Sequence, residues 1–297
     1  MTRGAYALIL LVMGFGWGLT QPLGKIATST GYQPFGLIFW QLAVCVLVLG
    51  GVTLLRGGRL RLHGRALRFY VAVAVLGTLV PNYTFYLSIE RLPAGIMSVI
   101  TASIPMLAFP IGLALGMERY SALRLIGLGL GLIGVALIAA PGAALPDPAM
   151  AAFLPVAMIG PLFYALEGTY VARTGVAGLD PVEAMLGASL VGLVLCLPLA
   201  LGSGQWFTPP LVPGRAEWAL IASSALHAVI YAGYVWLAAR AGAVFAGQVS
   251  YVVTVAGVFW AAMLLGERPG TGIWLAALLV LGGMFLVRPR EKQAAPV

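Results

Sequence analysis

The chain has 297 residues, 61% of them hydrophobic and only 9% charged, with a mean hydropathy of +1.00. So few polar side chains cannot clothe a globule in water, which excludes an ordinary soluble domain and leaves an integral membrane protein. The formal net charge of +8 does not indicate nucleic-acid binding, because the basic residues punctuate apolar runs rather than gather on one face.

Apolar runs of about 20 residues recur from end to end, each long enough to cross a bilayer core. The expected spans are 4–27, 34–55, 67–89, 93–116, 120–140, 150–173, 181–202, 216–239, 242–265 and 269–288, with a short tail at 289–297. That is one all-α membrane domain of ten transmembrane helices. With the N-terminus in the cytoplasm, thirteen Lys and Arg residues fall on inner segments and four (Lys25, Arg91, Arg215 and Arg268) on outer ones. This positive-inside bias places both termini in the cytoplasm, and contact with anionic headgroups is its second use. The N-terminal apolar run is too long for a signal-peptide core, so it is expected to be retained as helix 1.

Helix 1 carries Trp17, Gln21 and Lys25, four apart and hence on one face. Lys25, near the outer end, reads as an interfacial anchor, whereas Gln21 beside Pro22 suits packing and cavity lining equally. Helix 2 offers Gln41 and little else, and reads as a packing helix. The Arg-rich loop from Arg56 to Arg68 is explained as a cytoplasmic stop signal. Helix 3 places Thr78, Asn82 and Phe85 on one stripe flanked by Tyr83 and Tyr86, with a kink expected at Pro81. Helix 4 contributes Ser98 and Thr101 and is expected to break at Pro105 and Pro110.

Helix 5, with its GLGLGLIG run, and helix 10 are Gly-rich and nearly free of polar side chains, which suits scaffold or homodimer surface. Helix 6 holds Glu167, the carboxylate placed deepest in a span. An intramembrane acid is a functional candidate, the competing reading being a carboxylate that snorkels to the cytoplasmic face or is capped by a helix–helix hydrogen bond. Helix 7 follows an Asp180-Pro181 cap. Helix 8 aligns Ser224, His227, Tyr231 and Tyr234, and helix 9 adds Gln248, Tyr251 and Thr254. Cys45 and Cys196 lie in apolar spans as small buried hydrophobes.

The chain repeats itself. Arg91, Ala94, Glu118, Arg119 and Gly134 recur 149 positions later as Arg240, Ala243, Glu267, Arg268 and Gly283, and about one residue in five matches across this stretch. In helix 6 an offset of 146 sets Glu167 opposite Gln21. Repeat one spans 4–140 and repeat two 150–288, with five helices each. An odd number forces the second copy to enter the membrane from the other side, so the repeats are inverted. Inverted repeats are the architecture of alternating-access carriers, with the site near the midplane between them.

On Gly16-Trp17-Gly18, the Arg91-Leu-Pro-Ala-Gly turn, the Gly116-Met-Glu-Arg ending of helix 4, its echo Leu265-Gly-Glu-Arg, and the Gly-rich helices 5 and 10, the chain resembles the drug/metabolite transporter superfamily, in its ten-helix EamA-type branch. The resemblance implies a bacterial inner-membrane carrier, often an exporter of amino acids or related metabolites, with a central cavity between the halves.

The expected function is therefore secondary transport of a small polar or zwitterionic metabolite, the expected substrates being amino acids or related compounds moved outward. Trp17, Tyr83, Tyr86, Tyr231 and Tyr251 are expected as aromatic walls, and Gln21, Asn82, His227 and Gln248 as hydrogen-bonding groups. Glu167 is expected to hold a substrate ammonium or a coupling proton, with His227, ordinarily titrating near about 6.5, as its partner. A membrane-embedded enzyme is the competing class, but no HExxH, Asp pair or Gly-x-Ser-x-Gly elbow is present. A non-transporting membrane subunit is the third. No cofactor, metal or nucleic acid is expected. The partners are a small-molecule substrate, the lipid bilayer and a second copy of the chain.

Overall fold

The computed structural model describes residues 3–139, 145–241 and 249–287, and among them it holds ten helices and no strand. These are α1 (Arg3–Thr28), α2 (Pro34–Leu55), α3 (Gly64–Ile89), α4 (Ala94–Ala114) and α5 (Ala122–Ala139) in the first half. The second half holds α6 (Leu154–Thr174), α7 (Pro181–Gly202), α8 (Arg215–Ala241), α9 (Val249–Leu265) and α10 (Thr271–Val287). The start expected for helix 9, including Gln248, lies outside the described residues. The helices α1 to α4, α6 (with the turn before it) and α7 are long and apolar enough to cross a bilayer. The protein is a multi-pass membrane protein.

The packing partners reveal the internal symmetry. Helix α1 packs on α8 and α9, and its counterpart α6 packs on α3 and α4. Helix α2 meets α7 and α8, while α7 meets α2 and α3. The pairs α4 with α9 and α5 with α10 exchange into themselves. Each principal contact therefore maps onto another when the halves are swapped, as two inverted five-helix repeats require. The pairing of α5 with α10 also shows where the glycines go. A Cβ on Gly283 would collide with the Gly127 carbonyl oxygen, so the small residues admit close backbone approach within the chain.

Two helices are broken where the sequence places proline. Pro81 cannot donate to the carbonyl of Gly77, and α3 re-registers just before it: Ala74–Leu79 forms a π-turn, with Val80 N–H bonding to Val75 O. Pro105 likewise frees the carbonyl of Thr101, and α4 runs as two pieces, Ala94–Thr101 and Ile104–Ala114. Pro110 is absorbed within the second piece.

At the end of the bundle where α1 finishes, polar groups tie the halves together. Lys25 Nζ donates to Ile89 O at 3.0 Å and Leu92 O at 2.7 Å, closing the C-terminus of α3. This lysine turns into the protein, and not outward as an interfacial anchor would. Gly266, at φ 67°, turns the chain after α9 so that Glu267 faces the start of α4. Its two carboxylate oxygens accept from Ala94 N at 2.7 Å and Gly95 N at 3.0 Å, a charged cap on a helix N-terminus. The sequence counterpart Glu118 is engaged differently, in an ion pair with Arg124 of α5. A lid of aromatic side chains covers the same end, with Tyr32 stacked on Phe207 at 3.8 Å and Trp40 Nε1 donating to Phe207 O. Tyr32 also donates its hydroxyl to Glu217, and that bond above all raises the hydroxyl's pKa.

Candidate functional site

A cavity of about 240 Å³ lies between the halves. From the first half it takes Trp17, Thr20 and Gln21 of α1, Gln41 of α2, Pro81, Asn82, Phe85 and Tyr86 of α3, and Thr101 near the break in α4. From the second it takes Tyr164 and Glu167 of α6, Ser223, His227, Tyr231 and Tyr234 of α8, and Val249 and Ser250 of α9. The broken helices thus border the cavity at their breaks, where irregular backbone in a membrane is tolerated.

Glu167 is 4% exposed and is the one carboxylate among the described lining residues. Tyr231 donates its hydroxyl to Glu167 Oε1 at 2.8 Å. The backbone of the π-turn forms the floor beneath the carboxylate: a Cβ on Gly77 would lie 2.5 Å from its carboxyl carbon. Above it stands an aromatic box. Trp17 meets His227, Tyr231 and Tyr234 edge-on, with centroids 6.2, 5.9 and 5.9 Å away, and His227 stacks on Tyr231. No ion pair joins Glu167 to His227 among the described residues. Tyr231 contacts both, bonding the carboxylate through its hydroxyl and stacking on the imidazole.

Two of the lining residues, each 6% exposed, carry a buried polar atom with no hydrogen-bond partner among the described residues: Gln21 Oε1, an acceptor, and Asn82 Nδ2, a donor. Each such atom costs about 1–3 kcal/mol when left unmet. By contrast Gln41 Oε1 is met, accepting from Tyr86 at 2.8 Å. The site therefore presents a carboxylate, a free acceptor and a free donor within an aromatic wall.

The sequence profile of the EamA-like transporter family matches residues 4–140 and again 152–288. The chain belongs to the EamA-like transporter family. It is a membrane transporter of the drug/metabolite type. A solved structure, titled only as the crystal structure of a protein, superposes with a TM-score of 0.65 over 96% of this chain and 99% of its own, at 18% identity. That likeness shows the fold. No curated protein matches the sequence.

Within this EamA chain, the sequence-predicted residues Trp17, Gln21, Asn82, Tyr86, Glu167, His227 and Tyr231 all reach the one cavity. Tyr83 does not line it. One position past Asn82 turns a side chain by about 100°, and the Tyr83 ring packs on Phe35 of α2 instead, 4.6 Å between centroids. Tyr251 is also absent from the lining, where Val249 and Ser250 take that stretch of α9. Gln248 is outside the described residues. Helix α2, expected to be bland, supplies Gln41. Tyr164 was missed although it precedes Glu167 by three positions, a helical spacing that puts both on one face.

Proposed function

We propose that this transporter is a secondary carrier exporting a small polar or zwitterionic metabolite bearing an amine, an amino acid or a related compound, by alternating access through the cavity between its halves. The observation that carries this reading is the trio of Glu167, Gln21 Oε1 and Asn82 Nδ2 around one aromatic-walled space. A substrate ammonium matches Glu167 and Gln21, and the rings of Trp17 and Tyr231 favour a cation further. The substrate's carbonyl, carboxylate or hydroxyl oxygen matches Asn82. With no Lys or Arg among the described lining residues, multiply charged anions are disfavoured.

Glu167 is also the proposed exchange point for a proton, released as an ammonium binds, with His227 linked through Tyr231. The carrier sits in a bacterial inner membrane with both termini in the cytoplasm. The outward faces of α5 and α10, bearing exposed residues such as Ile126, Ile133 and Leu278, are where a second copy would pack.

The test is flux in proteoliposomes, with and without a pH gradient, for amino acids, nucleosides, sugars and organic cations. Saturable movement of an amine-bearing class, lost in Glu167→Gln, is the expected result. Preferred movement of sugars or anions, unaffected by Glu167→Gln, would overturn the substrate class. No flux and no ligand-dependent stabilisation for any class would favour a non-transporting subunit.

A further inference from the structure

A second cavity, of about 330 Å³, lies apart from the first. Its walls are Val48, Leu49 and Val52 of α2, Val182 of α7, and Val229 and Trp236 of α8, with Arg56 and Asp180 at its mouth. Internal symmetry explains why it is hollow. Pro34 and Pro181 both open their helices, so Phe35 of α2 corresponds to Val182 of α7. At the 149-residue offset Tyr83 corresponds to Ala232, which also lines the hollow. In the first half the Phe35 and Tyr83 rings pack together and fill the seam. In the second half a valine and an alanine stand in their places, and no side chain among the described residues fills the seam.

The same position differs in charge. Ser203 corresponds to Arg56, so the cation occurs only at the hollow seam. Arg56 is exposed and makes no ion pair among the described residues. Asp180 at the mouth is turned to its own helix, accepting from Val182 N at 3.3 Å. Arg59, Arg65 and Arg68 follow, also exposed, so the surroundings are net positive. Val229 is 59% exposed, which leaves the hollow open sideways, toward lipid.

We propose that this groove holds one acyl chain of an anionic phospholipid, with the headgroup phosphate on Arg56. An apolar slot open to the bilayer, ending in an unpaired arginine at headgroup depth, is complementary to that molecule. Because α2 belongs to one half and α7 and α8 to the other, the lipid bridges the seam between them. This site is independent of the transported substrate.

The experiment uses the full chain in detergent, following thermal unfolding as dioleoyl phosphatidylglycerol, dioleoyl phosphatidylcholine or glycerol phosphate is added. Phosphatidylglycerol is expected to stabilise at an about fivefold lower mole fraction than phosphatidylcholine, the weight of one arginine near a membrane surface. Glycerol phosphate is expected to do nothing. Arg56→Gln, on an exposed position that folding does not need, is expected to erase the preference. Ala232→Phe, which fills the slot, is expected to abolish the response to both lipids while leaving the lipid-free melting temperature unchanged or higher. Equal potency of the two lipids on the unmodified chain would overturn the proposal. So would a preference that survives Arg56→Gln, a lipid response that survives Ala232→Phe, or stabilisation by glycerol phosphate alone.

Discussion

Gln21 and Asn82 line the cavity with buried polar atoms that nothing among the described residues satisfies. A protein selected for stability alone would replace them, since an apolar side chain of similar shape removes the unmet group. Gln21→Leu and Asn82→Leu are therefore each expected to raise the unfolding free energy by about 1 kcal/mol and to reduce transport at least tenfold, read by thermal unfolding and liposome flux on the same preparation. A loss of stability in both would show these atoms to be structural. Tyr231→Phe is expected to act oppositely on stability. It leaves a buried carboxylate oxygen unmet, at a cost of about 1–3 kcal/mol, because Glu167 has Tyr231 as its hydrogen-bond donor. At this scale helical spacing already identified the stripes bearing Trp17 and Gln21, and His227 and Tyr231. Spacing fixes which residues share a face, but the rotation of a helix against its neighbours decides which face meets the cavity. That is why Tyr83 went to α2 and why Gln41, a lone polar residue in an apolar run, was read as packing.

The breaks in helices follow from proline chemistry and were legible, as the interruption of α4 before Pro105 shows. The π-turn in α3 was less so. A kink at Pro81 was expected, but the altered bonding lies upstream at Ala74–Leu79, where the freed carbonyl is accommodated. The partner of Glu267 was hidden altogether, because residues 173 positions apart meet only once α4 and α9 are packed. Glu267→Ala removes acceptors from two backbone N–H groups at once. It is expected to cost about 1–2 kcal/mol and to accelerate hydrogen exchange at Ala94 and Gly95, while α7 keeps its protection. Uniform loss of protection across all helices would mean that Glu267 acts on the whole bundle and not as a local cap.

On the scale of the whole molecule, the exchange of contacts between halves was foreseeable from five spans per repeat, whereas the inequality between the halves was not. The proposed alternating access requires the contact of α4 with α9 to rearrange, since one helix comes from each half. A Cβ on Gly95 would lie 3.7 Å from the Val258 Cα, so Gly95→Cys with Val258→Cys is expected to form a disulfide that arrests transport until reductant is added. Native Cys45 and Cys196 are buried and free, and give the background for this measurement. Undiminished flux through the oxidised protein would place the moving seam elsewhere. One further consequence rests on Arg124, which holds Glu118 and lies over the Phe109 ring, while the matching place beside Glu267 carries Ile273. A perfectly two-fold machine would divide its idle time equally between its two postures. If the proposed exchange of postures keeps this ion pair in only one of them, its worth of about 1 kcal/mol is expected to shift that division to about five to one, leaving the empty carrier with one door more often ajar.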